Sequence, residues 1–400
     1  MVTGDAAYIK KINRSLILGK IIEHGKISRA ELSKITALTR ATISVQVADL
    51  LDEKLIIETQ QEHNNVGRRP IMLSLNPETG YALGIDLDYK QITFTVSGLL
   101  GYPIHTDTIE LTTSDYEMIV RLLIKHIKEY QDRYSNSPYG LVGIVIGIHG
   151  LVTKDEIIHF VPQHEWYNKN LKSDLQKEVS IDISIENNSN LCAFAERVYK
   201  HHQSENLLCV TLYSGIGLGI MINGELLKGY DGYAGEMGHM IIVPDGKTCK
   251  CGNHGCWELY ASEYNFFKTL SKKKEKPALS YNDVKKWMNE RDATTCSEME
   301  QLIKYLSIGL NNIINLYNPE ILVLNSELLQ LDPTVSNKVE NLLNSTVSHY
   351  RELLISELGK KACVMGACSL AIKNFLEIPE LKLDMQDKSN QKEYNSEIIF

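Results

Sequence analysis

Four side chains within eighteen residues carry the most specific chemistry in this sequence: His239, Cys249, Cys251 and Cys256, with Gly252 and Gly255 between the last two sulfurs. Tetrahedral zinc takes thiolates at about 2.3 Å and imidazole at about 2.0–2.1 Å. Glycines let the backbone bend tightly enough to bring three sulfurs to one point. Cysteines one residue apart suit disulfide geometry poorly. The spacing predicts a zinc ion held by His239, Cys249, Cys251 and Cys256.

The other cysteines, Cys192, Cys209, Cys296, Cys363 and Cys368, are scattered and mostly have apolar neighbours, as buried structural thiols do. So many unpaired sulfurs point to a reducing compartment. Residues 140–152 form the longest apolar run, too short to span a bilayer, and no apolar segment follows the N-terminal charges, so a cytoplasmic location is expected. With 400 residues, 43 % hydrophobic and 23 % charged, the chain has room for two or three globular domains. Its net charge of −8 is uneven: residues 1–80 hold eleven Lys/Arg and nine Asp/Glu, a balance of +2 that leaves −10 elsewhere. Only that N-terminal part suits a polyanionic partner.

Ile12, Leu16, Ile17, Ile21 and Ile22 recur at helical spacing up to the cap at His24-Gly25, which predicts a first helix. Ser28 and Glu31 form a capping box for a short second helix over 29–35. Thr39 caps a third helix, whose apolar stripe is Ile43, Val47, Leu50 and Leu51. Residues 55–58 and 71–75 read as two strands joined through a polar tip with Arg68 and Arg69. This is the organisation of a winged helix-turn-helix, favoured over a helical docking module by the capped turn and the paired tip arginines. Thr39, Arg40, Thr42, Ser44 and Gln46 are the expected base readers, Arg for guanine and Gln for adenine, with Arg68 and Arg69 entering a minor groove or gripping phosphate.

From Tyr81 the period changes. Strands at 83–87 and 92–96, a helix over 116–130 and a buried strand at 141–147 indicate an α/β fold.

Glu236, Gly238 and His239, followed by the Cys249-Cys251-Gly252-Gly255-Cys256-Glu258 pattern, resemble the signature of the ROK family (repressor, open reading frame, kinase), and the likeness extends over about residues 10–378. The resemblance implies a two-lobed, actin-like (ribonuclease H-like) sugar-binding domain behind the winged helix. The expected divisions are a DNA-binding domain at 1–78, lobes at 79–190 and 191–378, and a poorly ordered tail at 379–400. It further implies that His239 binds zinc with one ring nitrogen and a sugar hydroxyl with the other, the zinc being structural, while Glu236 and Glu258 accept from further hydroxyls. Carboxylates, as acceptor-only groups, fit that role. Asn187 and Asn188 are the implied amide contacts, the other reading of that segment being an Asn-rich turn that caps the next helix; Gly150 borders the sugar, and Trp166 either offers an apolar face in the segment that closes over it or is a buried structural residue.

Against the kinases of this family the sequence departs at the nucleotide. The segment matching their Asp-x-Gly-Gly-Thr phosphate hairpin reads Asp86-Leu87-Asp88-Tyr89-Lys90. A glycine hairpin over 214–219 survives, but Asn325-Ser326 replaces an expected glycine cluster. Asn188 stands where the kinases carry the aspartate that deprotonates the sugar, and an amide accepts no proton at neutral pH. The chain is expected to bind sugar without catalysis.

Segments 27–33, 67–70, 137–141 and 256–263 are most similar to the xylose-responsive repressors of this family. They imply a homodimer on a palindromic operator of a xylose-utilisation operon, released by D-xylose. The rival reading is a sugar kinase that phosphorylates a hexose with ATP, and a third is a DNA-binding protein whose sugar lobe is only a scaffold.

Overall fold

The computed structural model describes residues 6–60 and 71–384; Arg68 and Arg69 lie outside them. The chain opens with α1 (Ala6–His24), α2 (Arg29–Thr36) and α3 (Arg40–Asp52). Ser28 and Glu31 make the capping box in both directions, and Thr39 Oγ1 accepts from Thr42 N at 3.1 Å. A small sheet, β1 (Ile27–Ser28), β2 (Ile56–Gln60) and β3 (Ile71–Leu75), runs in the order β1-β3-β2 and is antiparallel throughout.

The first helix forms, and of its five periodic residues Ile17, Ile21 and Ile22 turn inward with Leu18, while Ile12 is 48 % exposed and Leu16 36 %. One expectation about this unit fails. Gln46 is only 4 % exposed, packed on the core face between Ile43 and Leu50, so it is withdrawn from the base readers.

Beyond the head, the chain builds β4 (Tyr81–Leu87), β5 (Gln91–Gly98), β6 (Pro103–Glu110), α4 (Tyr116–Arg133) and β7 (Leu141–Ile148). A three-stranded flap follows, of β8 (Leu151–Val152), β9 (Ile158–Val161) and β10 (Trp166–Lys169), then α5 (Leu171–Gln176), β11 (Ile183–Asn187) and α6 (Asn188–Tyr199). The next unit comprises β12 (Leu207–Thr211), β13 (Gly217–Ile222), β14 (Glu225–Leu226), α7 (Glu258–Ala261), α8 (Glu263–Lys273), α9 (Tyr281–Asn289) and α10 (Ala293–Tyr317). It ends with β15 (Ile321–Asn325), α11 (Val335–Glu340) and β16 (Glu352–Ile355), after which α12 (Ala362–Leu376) returns to pack on β4 and β7 of the first sheet. Among the described residues, no helix is long and apolar enough to cross a membrane.

The two large sheets share one topology. In β11-β7-β4-β5-β6 the meander β4-β5-β6 is antiparallel and β7 and β11 add on parallel. In β14-β13-β12-β15-β16 the meander β12-β13-β14 is antiparallel and β15 and β16 add on parallel. The sequence shows no repeat that announces this duplication. In parallel sheets, ligands gather at the carboxyl ends of the strands, where β4, β7 and β11 bring Asp86, Gly147 and Glu186 into one row.

α6 and α12 pack on one another between the sheets. A Cβ at Gly366 of α12 would stand 2.0 Å from Leu191 O of α6. Such contact has no room for any side chain.

The tail beginning at 379 is corrected in part: Leu381 and Leu383 are buried, and Leu383 N donates to Val198 O at 3.0 Å. An alternating apolar pair lays residues 379–384 along α6 as a strap. Residues 385–400 lie outside the described chain.

Candidate functional site

His239 closes a single 3-10 turn, Met237–His239, and the loop behind it folds back through isolated bridges Ile241–Cys256 and Thr248–His254. Gly255 has φ +80° and its Cα lies so near Val243 O that a Cβ would stand 1.8 Å away. The loop thereby gathers its donors: Nδ1 or Nε2 of His239 and the sulfurs of Cys249, Cys251 and Cys256 all lie within 4.8 Å of one another. Cys251 Sγ to Cys256 Sγ is 3.6 Å, and Cys249 Sγ to His239 Nδ1 is also 3.6 Å. Bonds of about 2.0–2.3 Å at tetrahedral angles put ligand atoms about 3.3–3.8 Å apart. The donor set fits zinc, with Nδ1 turned toward the sulfurs. Trp257 pins the loop into the core, fully buried with Nε1 donating to Tyr305 O at 3.0 Å.

Glu258 follows that anchor at the start of α7, and its Oε1 lies 3.6 Å from His239 Nδ1. Glu236 is an exposed residue; desolvation raises its pKa, His239 draws it back and Glu258 pushes it further up. Glu236, His239 and Glu258 therefore stand together.

Across from them, Asn187 caps α6. Its Oδ1 accepts from Ser189 N at 2.8 Å and Asn190 N at 3.3 Å, and its Nδ2 donates to Gly150 O at 2.9 Å. That work already occupies the Asn187 amide, whereas Asn188 is half-buried on the first turn. Gly150 is demanded by packing, since a Cβ would meet Phe160 O at 2.4 Å. Of the two readings open for Trp166, a sugar-facing ring or a buried structural one, the second holds: it is buried, stacks on His164 at 4.5 Å and donates from Nε1 to Ser114 O at 2.8 Å. An indole satisfied on both edge and face belongs to the core rather than to a ligand.

Two site features escaped sequence reading. Lys228, after β14, lies 2.5 Å from Glu186 Oε2, while Glu186 Oε1 accepts from Asn187 N and Asn190 Nδ2. The only local signal was a lysine opening the loop of Gly229, Gly232 and Gly235, all at positive φ. The glycines of the 214–219 hairpin also prove to serve packing. Cβ atoms at Gly217 and Gly219 would strike Ser189 of α6 at 1.9 and 2.2 Å, and one at Gly215 would meet Glu258 Oε2 at 2.7 Å.

The β4–β5 hairpin is acidic and is paired with His149, which follows β7. His149 Nε2 lies 2.7 Å from Asp86 Oδ1, and Nδ1 lies 3.9 Å from Asp88 Oδ1. Burial alone would lower the imidazole, but the Asp86 charge and hydrogen bond, with Asp88 adding, hold His149 up to about 9. Carboxylates there repel phosphate rather than cradle it.

In the head, Thr39, Arg40 and Ser44 are exposed and Thr42 is half-buried, its Oγ1 2.9 Å from Thr39 Oγ1. Val45, which sequence reading passed over, is 58 % exposed beside them.

Residues 82–374 match the ROK family. The chain is 37 % identical over 388 residues to a xylose repressor of Bacillus spizizenii, covering 95 % of this chain and 100 % of that one. A crystal structure of a ROK family transcriptional regulator, described as a homologue of E. coli MLC protein, superposes with a TM-score of 0.79 at 26 % identity, over 92 % of this chain and 97 % of that one. A ROK family glucokinase from Streptomyces griseus, with glucose and AMPPNP, gives 0.64 at 23 % identity, over 73 % of this chain and 99 % of its own.

Proposed function

The chain belongs to the ROK family, and from that premise we propose that it is a cytoplasmic, homodimeric transcriptional repressor that leaves a palindromic operator when D-xylose enters its cleft. The observation that carries this reading is the head: the regulator superposes over 92 % of this chain and the glucokinase over 73 %. The proposed domains are the winged helix at 1–78, actin-like lobes at 79–190 and 191–378, and the strap and tail beyond 379. Thr39, Arg40, Thr42 and Ser44 of α3 read base edges, Val45 offers an apolar contact to a thymine methyl, and Arg68 and Arg69 serve the groove beside them.

In the cleft, Glu236, Glu258 and Asn188 bond the sugar hydroxyls, and Asn187 and Gly150 shape the wall. Zinc supplies rigidity: with its four ligands from the protein it fixes the His239 ring so that Nε2 faces a hydroxyl. Catalysis is not part of the proposal. Asn188 accepts no proton, and Asp86 and Asp88 stand where a nucleotide would need donors.

The test is fluorescence anisotropy on the inverted repeat upstream of the protein's own and neighbouring genes, at a stated salt concentration. Specific binding that weakens with D-xylose, and not with arabinose or ribose, supports the reading. Indifference to every sugar returns the lobes to a scaffold role, and ATP turnover with a sugar panel would establish the kinase.

A further inference from the structure

The sugar cleft and the head are joined by one continuous set of contacts that runs along α6 and the strap. α6 begins in the cleft, where Asn187 caps it and Asn188 opens its first turn. At about 1.5 Å per residue its twelve residues reach about 18 Å away. There Arg197, nearly buried, lies 2.6 Å from Glu380 Oε1, and Val198 O accepts from Leu383 N. Within the strap, Glu380 Oε2 lies 3.3 Å from Lys382 Nζ, which in turn lies 3.2 Å from Glu23 Oε1 near the end of α1. α1 is bound to α3, the reading helix, by Lys10–Asp49 and to the residue capping it by Arg14–Glu53, both at 2.7 Å.

From this geometry we propose that α6 and the strap 379–384 transmit sugar binding to the reading helix, with Arg197, Glu380, Lys382 and Glu23 as positioning residues. The proposal rests on the repressor reading above. A rigid helix with one end in the ligand site passes any tilt of that end to the other, and here the far end grips the strap through a main-chain bond and a nearly buried guanidinium. Leu381 and Leu383 in the core keep the strap from slipping, so the Lys382–Glu23 pair displaces α1 rather than merely stretching. None of the four residues touches the cleft or the DNA-facing side of α3. Altering them should change only how strongly one site responds to the other, which separates coupling from binding.

The experiment compares the wild-type chain with Glu23→Gln/Glu380→Gln, an isosteric pair that removes both carboxylates of the relay and leaves the packing. D-xylose affinity is read by calorimetry, and operator affinity by anisotropy with and without saturating D-xylose. The expected result is sugar affinity and sugar-free operator affinity within about 2-fold of wild type, with the xylose-induced drop in operator affinity reduced at least about 5-fold. Lys382→Arg should retain the full drop, and Leu383→Ala, which loosens the strap without changing charge, should reduce it. A double variant with the full wild-type drop overturns the proposal, as does one that loses sugar binding itself. A wild-type chain that binds operator but ignores D-xylose would instead overturn the repressor reading on which the proposal stands.

Discussion

The ammonium of Lys228 lies 2.5 Å from Glu186 Oε2 and ties the loop after β14 to the penultimate residue of β11. One sheet thus holds the other. Glu186 is buried, so replacing Lys228 with Met leaves its carboxylate with donors on Oε1 alone. The half-exposed lysine makes the cost modest, about 1 kcal/mol. Lys228→Met should raise the dissociation constant for D-xylose about 5-fold by calorimetry, with sugar-free operator binding unchanged.

Cys251→Ser should remove a bound zinc ion, counted by plasma mass spectrometry, and lower the thermal midpoint, since a structural metal contributes folding free energy directly. The exposed position of Cys251 means that little packing is lost with the sulfur itself. Chelation of the wild-type chain should have the same effect, and both should blunt the response to sugar. Unchanged stability after metal removal would contradict a structural zinc.

His149, held at about 9 against an ordinary 6.5, is favoured charged in the fold. Its contribution to stability is complete below about 6.5 and is lost as pH rises through about 9. Urea midpoints should therefore fall between those values in the wild type and less so in Asp86→Asn. NMR titration of the imidazole should show the midpoint moving down in that variant.

Arg40→Ala should weaken operator binding about 10-fold and relax base preference at the position it reads, as expected for a base-reading side chain at the start of the reading helix. Gln46→Ala should lower the unfolding midpoint instead and leave base preference unaltered, because its side chain lies inside the head.

Gly366→Ala should cost about 1–3 kcal/mol in chemical denaturation, since the added methyl would stand 2.0 Å from Leu191 O and push α6 and α12 apart.

Much of the fold was legible where the determinant is local. The Ser28–Glu31 box and the Thr39 cap are fixed by residues three apart, and both form. The spacing of His239, Cys249, Cys251 and Cys256 brings four donor atoms together, as predicted. Gln46 misled because its chemistry suited a base edge, although it falls three residues after Ile43 and four before Leu50, on the core face of a helix of period 3.6. Trp166 could not be placed from sequence, since its partners His164 and Ser114 come from the flap and from the approach to α4. Glycines 217 and 219 could be read as a phosphate hairpin or as mere bends beside a strand, because sequence cannot show which backbone α6 lies against. The strap was hidden by polar composition around two leucines.

The contacts at the end of the strap and of α12 also impose an order on synthesis. Lys11 Nζ and Ser15 Oγ both reach Glu377, at 2.8 Å each, and Glu23 waits for Lys382. Domains fold as they leave the ribosome, N-terminal parts first, so the head emerges about three hundred residues before the clasp that seats it. The first helix is made first and fastened last. A chimera that grafted residues 1–78 alone onto another sugar lobe would carry the helix without its fastening, and a working graft needs both ends of the chain.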